Sequence, residues 1–170
     1  MDVAAFNALA DADARALVAS WAAVPEWVDR IVASRPYATA AELAGHAAEL
    51  AAAWSGVELD TAMAAHPRIG ERAIGEDPAA DASRREQAGM RGADAETAAA
   101  IAVGNAAYER RFGRIFLIRA AGRSPEEILA EVHRRLTLDP SDEQREAITQ
   151  LAEIAMLRLR SAVALEGTER

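Results

Sequence analysis

The chain has 170 residues, of which 51% are hydrophobic, 27% charged and only 5% aromatic, enough for one domain with a buried core. A formal net charge of −8 and a pI near 4.9 argue against nucleic acid as a partner. Cysteine is absent, which excludes disulfides, thiolate chemistry and Cys-based metal sites.

The first residues predict a short helical turn through Val3, Phe6 and Leu9. Asp11 is placed to cap a second helix carrying Leu17 and Trp21. Pro25 suits the first turn of a third, with Trp27, Val28 and Ile31, and Arg35-Pro36 ends it. Thr39-Ala40-Ala41-Glu42 has the capping-box form and opens an Ala-rich helix to about Trp54, broken by Ser55-Gly56. Leu59 and Met63 predict a helix running into His66, where Pro67 biases the His away from helical geometry.

A loop then follows with Gly75, Asp77, Pro78 and Asp81 and almost no large apolar residue. Loops beyond about 12–15 residues in compact domains are usually functional or disordered, and this one is read as functional. The spacing predicts a short helix from about Ser83 to Gly89. A long one follows from the Asp94 cap through Ile101, Asn105 and Tyr108 to Phe112, with Gly113 as its stop.

Ile115-Phe116-Leu117-Ile118 is a lone apolar run, so an extended segment threaded through the core is a better reading than a sheet. Its backbone groups would need partners, and a polar ligand would serve. Ser124-Pro125-Glu126-Glu127 is a strong helix start for Ile128, Leu129, Val132 and Leu136. Asp139-Pro140-Ser141 breaks that helix and caps a last one through Ile148, Leu151, Ile154 and Leu165. The fold expected is all-α, a single compact domain over 1–170 of about eight helices with one extended segment through the core.

Arg158 stands out on the last helix. At 100° per residue, Leu151, Ile154, Ala155, Ala162 and Leu165 fall within roughly 60° of it, whereas Arg160 points away. A guanidinium aimed at the core is costly unless it meets an anion. Two readings stay open: a structural ion pair with a buried carboxylate, or a fork that grips a substrate carboxylate or carbonyl. The chain has no Lys, so every cationic side chain of permanent charge is Arg.

His66 sits at a helix-to-loop corner, where rigid scaffolds tend to place functional groups, while His46 and His133 read as ordinary helix-surface residues. Ser83-x-x-Glu86 is also open: it has the form of a capping box as well as of a site. Gln87 beside it can donate and accept at once. Metal spacing such as His-x-x-x-His is missing, as are glycine-rich phosphate loops and G-x-S-x-G elbows. No apolar run reaches the ~18 residues of a membrane span and the start lacks a signal pattern, so a cytoplasmic location is expected.

Taken together, His66-Pro67-Arg68-Ile69-Gly70, Ser83-x-x-Glu86-Gln87-Ala88-Gly89, Asn105-x-x-Tyr108-Glu109-x-x-Phe112-Gly113-x-x-Phe116-Leu117-Ile118 and Ile154-x-x-Leu157-Arg158-Leu159 resemble one family. It is the OHCU decarboxylases of urate breakdown (OHCU is 2-oxo-4-hydroxy-4-carboxy-5-ureidoimidazoline). The chain departs from many members in having Arg114-Ile115 after the Phe-Gly pair, where they have Phe-Pro.

The resemblance implies an all-helical, cofactor-free homodimer that decarboxylates an anionic small molecule, OHCU, to (S)-allantoin, with neither nucleic acid nor membrane as partner. His66 matches the family's catalytic histidine and Glu86 its partner carboxylate. Pro67, Ser83 and Gln87 match substrate-lining positions. Phe116, Leu117, Ile118, Arg119 and Ala120 match a segment whose backbone binds the substrate, and Arg158 matches a substrate-binding arginine. Against this stand a helical interaction module with structural His66 and Arg158, and a metal-assisted hydrolase using His66 and Glu86.

Overall fold

The computed structural model describes residues 1–64, 66–71 and 78–164, without the side chain of Arg91. Gly75 and Asp77, expected in a loop, and Leu165, expected on the last helix, lie outside the described residues. Within them the chain forms nine α-helices and one 3-10 helix, and no strand, so it is all-α as the periodicity predicts. The helices are α1 (Val3–Ala8), α2 (Asp11–Trp21), α3 (Pro25–Ala33), α4 (Ala40–Ala51), α5 (Gly56–Met63), α6 (Pro78–Glu86), α7 (Ala95–Phe112), α8 (Pro125–Arg135) and α9 (Pro140–Ala162), with the 3-10 turn at Ala88–Gly92.

Several ends are set by the predicted caps. Asp94 accepts from the Thr97 amide at 2.8 Å and opens α7, and Gly113, at φ 71°, closes it in the left-handed region that favours glycine. Ser124 and Glu127 form a complete capping box at α8, with Pro125 in the first turn. Asp11 behaves differently from the reading above. It is already inside α2, whose cap is Ala10, and its carboxylate pairs with Arg35.

Contacts divide the chain into two compact units, one of Met1–Ala62 with Ala152–Arg170 and the other of Met63–Leu151. In the first, Phe6, Trp21 and Tyr37 pack ring against ring, with centroids 5.9 and 6.3 Å apart, and Trp27 meets Trp54 edge-on at 5.5 Å. Burial leaves polar tips that need partners. The Trp27 indole therefore donates to Ala47 O, and the Tyr37 hydroxyl donates to Ile31 O at 2.8 Å. Burial also pushes the Tyr37 phenol up to about 12. Arg35 closes the α1–α2 turn by donating to Leu9 O at 2.7 Å and Phe6 O at 3.3 Å.

The second unit is built on α7 and α8. Ile101 and Tyr108 from α7 meet Ile128 and Val132 from α8, and Phe116, Ile118, Ala120 and Ile69 complete the cluster. The helices approach closely because α7 presents Gly104 there: a Cβ at that position would sit 2.6 Å from Val132 Cγ1. That branched side chain has little freedom to move aside. Residues 115–120 run between the helices outside any regular element, with Phe116, Leu117, Ile118 and Ala120 buried, as expected of a segment threaded through the core.

Candidate active site

The His66 corner is held by its neighbours in sequence and by three side chains from elsewhere. After α5, the His66 amide donates to Met63 O at 3.2 Å, and Pro67 turns the chain out. His66 is half-buried, with its Nε2 shielded from solvent. Gly70, at φ 86°, takes the left-handed conformation that lets the turn reverse. The Gly70 amide donates to Gln87 Oε1 at 2.9 Å, and Gln87 Nε2 donates back to Arg68 O at 3.3 Å. Asn105 Nδ2, buried on α7, donates to Ile69 O at 3.0 Å. Arg68 forks onto both oxygens of Glu109 at 2.5 and 3.0 Å. The Arg68 hydrogen bonds hold the Glu109 carboxyl below the ordinary carboxylate value.

These bonds join three of the sequence motifs at one corner. They also give Gln87 a definite task. Both ends of its amide already engage the backbone of the 66–70 turn, which leaves one Nε2 hydrogen and one Oε1 lone pair for anything else. The family resemblance implies a substrate-lining place for Gln87, and Asn105 and Glu109 were not expected as parts of the corner. The signal was available: an amide or acid at Asn105 and Glu109 lies one turn apart on one helix face.

The region before Gln87 corrects one expectation. The helix expected from about Ser83 to Gly89 runs instead from Pro78 to Glu86 and is followed by the 3-10 turn at Ala88–Gly92. Pro78 stands at its first position, where a fixed φ and missing N–H cost nothing. Ser83 is therefore in the helix interior, 5% exposed, and the capping-box reading of Ser83 and Glu86 does not hold. Three residues apart, the two side chains share one face of α6. Gln87 continues that face to the His66 corner. Gly89 lies against the backbone of Arg123, whose carbonyl a Cβ would approach to 3.0 Å.

Backbone groups of the 116–120 segment were expected to await a polar ligand, and the protein itself takes several of them. Leu117 O accepts from Arg135 Nη1 at 2.7 Å, the Arg119 amide donates to Gln150 Oε1 at 2.9 Å, and Ala120 O accepts from the Arg123 amide at 3.1 Å. Arg135 is fully buried, as is Glu143, to which it is ion-paired. The Tyr108 hydroxyl donates to Glu143 and accepts from Arg135 at 3.2 Å, and Arg114 reaches the second carboxylate oxygen at 3.2 Å. The Arg135 guanidinium also lies over the Phe116 ring, 5.0 Å from its centroid.

Desolvation pushes Glu143 up to about 7, and the nearby charge of Glu146 acts the same way; desolvation pushes Arg135 down to about 10 against the attraction of Glu146 and Glu131. Neither Arg135 nor Glu143 was singled out from the sequence.

Arg158 lies in the other compact unit. It is 7% exposed, as its place on the apolar stripe predicts, and Nη1 donates to Ser20 O at 3.2 Å. Among the described residues no group of three His, Asp or Glu side chains is placed to hold a metal ion, and no helix is long and apolar enough to cross a membrane.

A model of the family described as OHCU decarboxylase matches residues 7–160. A curated 2-oxo-4-hydroxy-4-carboxy-5-ureidoimidazoline decarboxylase from Amia calva is 31% identical over 136 residues, covering 79% of this chain and 78% of that protein. Among solved structures, OHCU decarboxylase in the presence of (S)-allantoin superposes with a TM-score of 0.72 at 24% identity, covering 84% of this chain and 93% of that one. An (S)-allantoin synthase gives 0.69 at 16% identity, covering 96% of this chain and 54% of the longer protein. At those identities the two structures establish the fold.

Proposed function

The chain belongs to the OHCU decarboxylase family, and from that premise we propose that it converts OHCU and a proton to CO₂ and (S)-allantoin without a cofactor, His66 being the proton donor. The activity class, a decarboxylase, follows from the family. The observation that carries the residue assignment is the joining of the motifs: Gln87 and Asn105 bond the backbone of Arg68, Ile69 and Gly70 and so fix the corner from which His66 projects.

OHCU needs little from a protein. Its carboxylate sits on a carbon that bears a hydroxyl and adjoins a C=N bond. When the C–CO₂ bond breaks, its electron pair forms a C=C bond to the neighbouring carbon, and the C=N pair moves to nitrogen, which takes a proton. The resulting enol then loses its hydroxyl proton to become a carbonyl, while the adjacent carbon gains one. The substrate is its own electron sink.

What remains is orientation and the delivery of that last proton to one face. A histidine titrates near working pH and suits a group that must both give and take protons. Glu86 orients the hydroxyl and sets a negative charge near the departing carboxylate, which favours a transition state in which that charge is leaving. Pro67, Ser83 and the second Nε2 hydrogen of Gln87 shape the pocket edge, and the backbone of Phe116, Leu117, Ile118, Arg119 and Ala120 holds the ring and ureido groups. Arg158 grips an electronegative edge of the substrate with a planar fork. As in the family, the active form is a homodimer, which light scattering in solution tests.

OHCU made fresh from urate and followed by circular dichroism decides the reaction. The free compound decays slowly to a racemate. Fast growth of a lasting signal of one hand supports the decarboxylase, and decay at the unassisted rate to an optically silent product rejects it.

A further inference from the structure

A substrate that is held by backbone groups depends on how firmly that backbone is held in turn. Residues 116–120 have neither a helix nor a sheet to fix them. Instead, two side chains from different helices pin the middle of the run: Arg135 of α8 at Leu117 O and Gln150 of α9 at the Arg119 amide. Together the two anchors fix the course of the run, and with it the direction of the backbone groups that they leave unused.

The Arg135 anchor is itself immobilised. Its guanidinium is buried, ion-paired to Glu143 and set over the rings of Phe116 and Tyr108. The Tyr108 hydroxyl and Arg114 complete the coordination of Glu143. A buried pair of this kind is seldom worth its desolvation in stability alone, since apolar side chains of similar volume often do as well or better. What apolar side chains cannot do is hold a carbonyl.

We propose that Arg135 and Gln150 are positioning residues for decarboxylation, acting through the Phe116–Ala120 backbone. Glu143, Tyr108 and Arg114 serve to hold Arg135 in place. This role rests on the proposed binding of substrate by that segment.

The test uses two sets of variants of the full chain, each measured for melting temperature, for kcat and KM on fresh OHCU, and for the optical purity of the product. Gln150→Leu removes one acceptor, and Gln150→Glu keeps it. The double variant Arg135→Met with Glu143→Met replaces the pair by apolar side chains, so that neither charge is left alone.

The expected result for Gln150→Leu is a fall in kcat/KM of about tenfold or more with the melting temperature lowered by only a few degrees, the scale of one lost hydrogen bond, and both recovered in Gln150→Glu. For the double variant it is a melting temperature near the wild-type value together with a similar loss of kcat/KM and of optical purity. Folded variants with wild-type kcat/KM and optical purity overturn the proposal. If the double variant fails to fold, the Gln150 pair still decides. If wild-type protein itself leaves OHCU decay unchanged, the decarboxylase reading falls and takes this one with it, an outcome separated from the others by the wild-type arm.

Discussion

Arg135 and Arg158 are both guanidiniums taken out of water, 0% and 7% exposed, and both lie on the apolar stripe of a helix. Their surroundings differ. Arg135 is met inside its own unit by a buried carboxylate, a phenol, a carbonyl and two aromatic rings. The bond described for Arg158 goes to a neutral carbonyl, Ser20 O. A buried cation with its counter-charge supplied by the fold reads as part of the frame. Arg158 is proposed for the substrate on a different ground, its match to an arginine position of the family. Burial of a charge does not by itself separate these two roles.

The largest effect that would break this comparison lies at Glu143. Glu143→Leu leaves Arg135 buried without its carboxylate, and urea unfolding should show a loss of about 3–5 kcal/mol. A loss below about 1 kcal/mol would mean that the pair is not part of the frame. Arg158→Lys should do the reverse. It keeps the charge and loses the planar fork, so KM for OHCU should rise while stability falls by no more than about 1 kcal/mol, the scale of one hydrogen bond. Equal KM values would remove Arg158 from the substrate.

The smallest effect concerns pH. Burial raises Glu143 from its ordinary 4.5 to about 7, so what it contributes to folding is complete below 4.5 and is lost as pH rises through 7. Glu109 and Glu131, held low by hydrogen bonds from Arg68 and Arg134, run the other way: their contributions are present above the ordinary value and lost in acid. Glu143→Gln removes only the first dependence. The stability of wild type relative to this variant should therefore fall from pH 4.5 to pH 7 in denaturant titrations, and a rise would show that Arg135 and Arg114 keep the carboxylate ionised.

Periodicity and caps carried most of the fold. Asp94, Gly113 and the Ser124–Glu127 box act as local chemistry predicts because their partners lie within one turn. The Arg158 position was legible for the same reason, since a helix wheel needs no tertiary knowledge.

The helix at Pro78–Glu86 was misplaced because Ser83-x-x-Glu86 mimics a start, whereas Pro78 is the actual one. Arg135 was missed for a different reason. Basic residues in a last turn ordinarily complement the helix dipole, and Arg134-Arg135 fits that pattern. Yet Ile128, Val132 and Arg135 share a face at i, i+4 and i+7, as do Glu143, Ala147 and Leu151 at i, i+4 and i+8, and the same wheel that found Arg158 would have found both. Gln87 shows a limit of another kind. An amide suited to a ligand is equally suited to a turn, and no local pattern tells which backbone it will meet.

The central claim is that His66, on a corner fixed from three sides, delivers the proton that sets the hand of the product. The direct measurement is the circular dichroism of allantoin formed from fresh OHCU by His66→Ala, compared with wild type, once the variant's melting curve shows that it is folded. The account predicts decay at the unassisted rate to an optically silent product. A folded His66→Ala that still makes one enantiomer at close to the wild-type rate would contradict it.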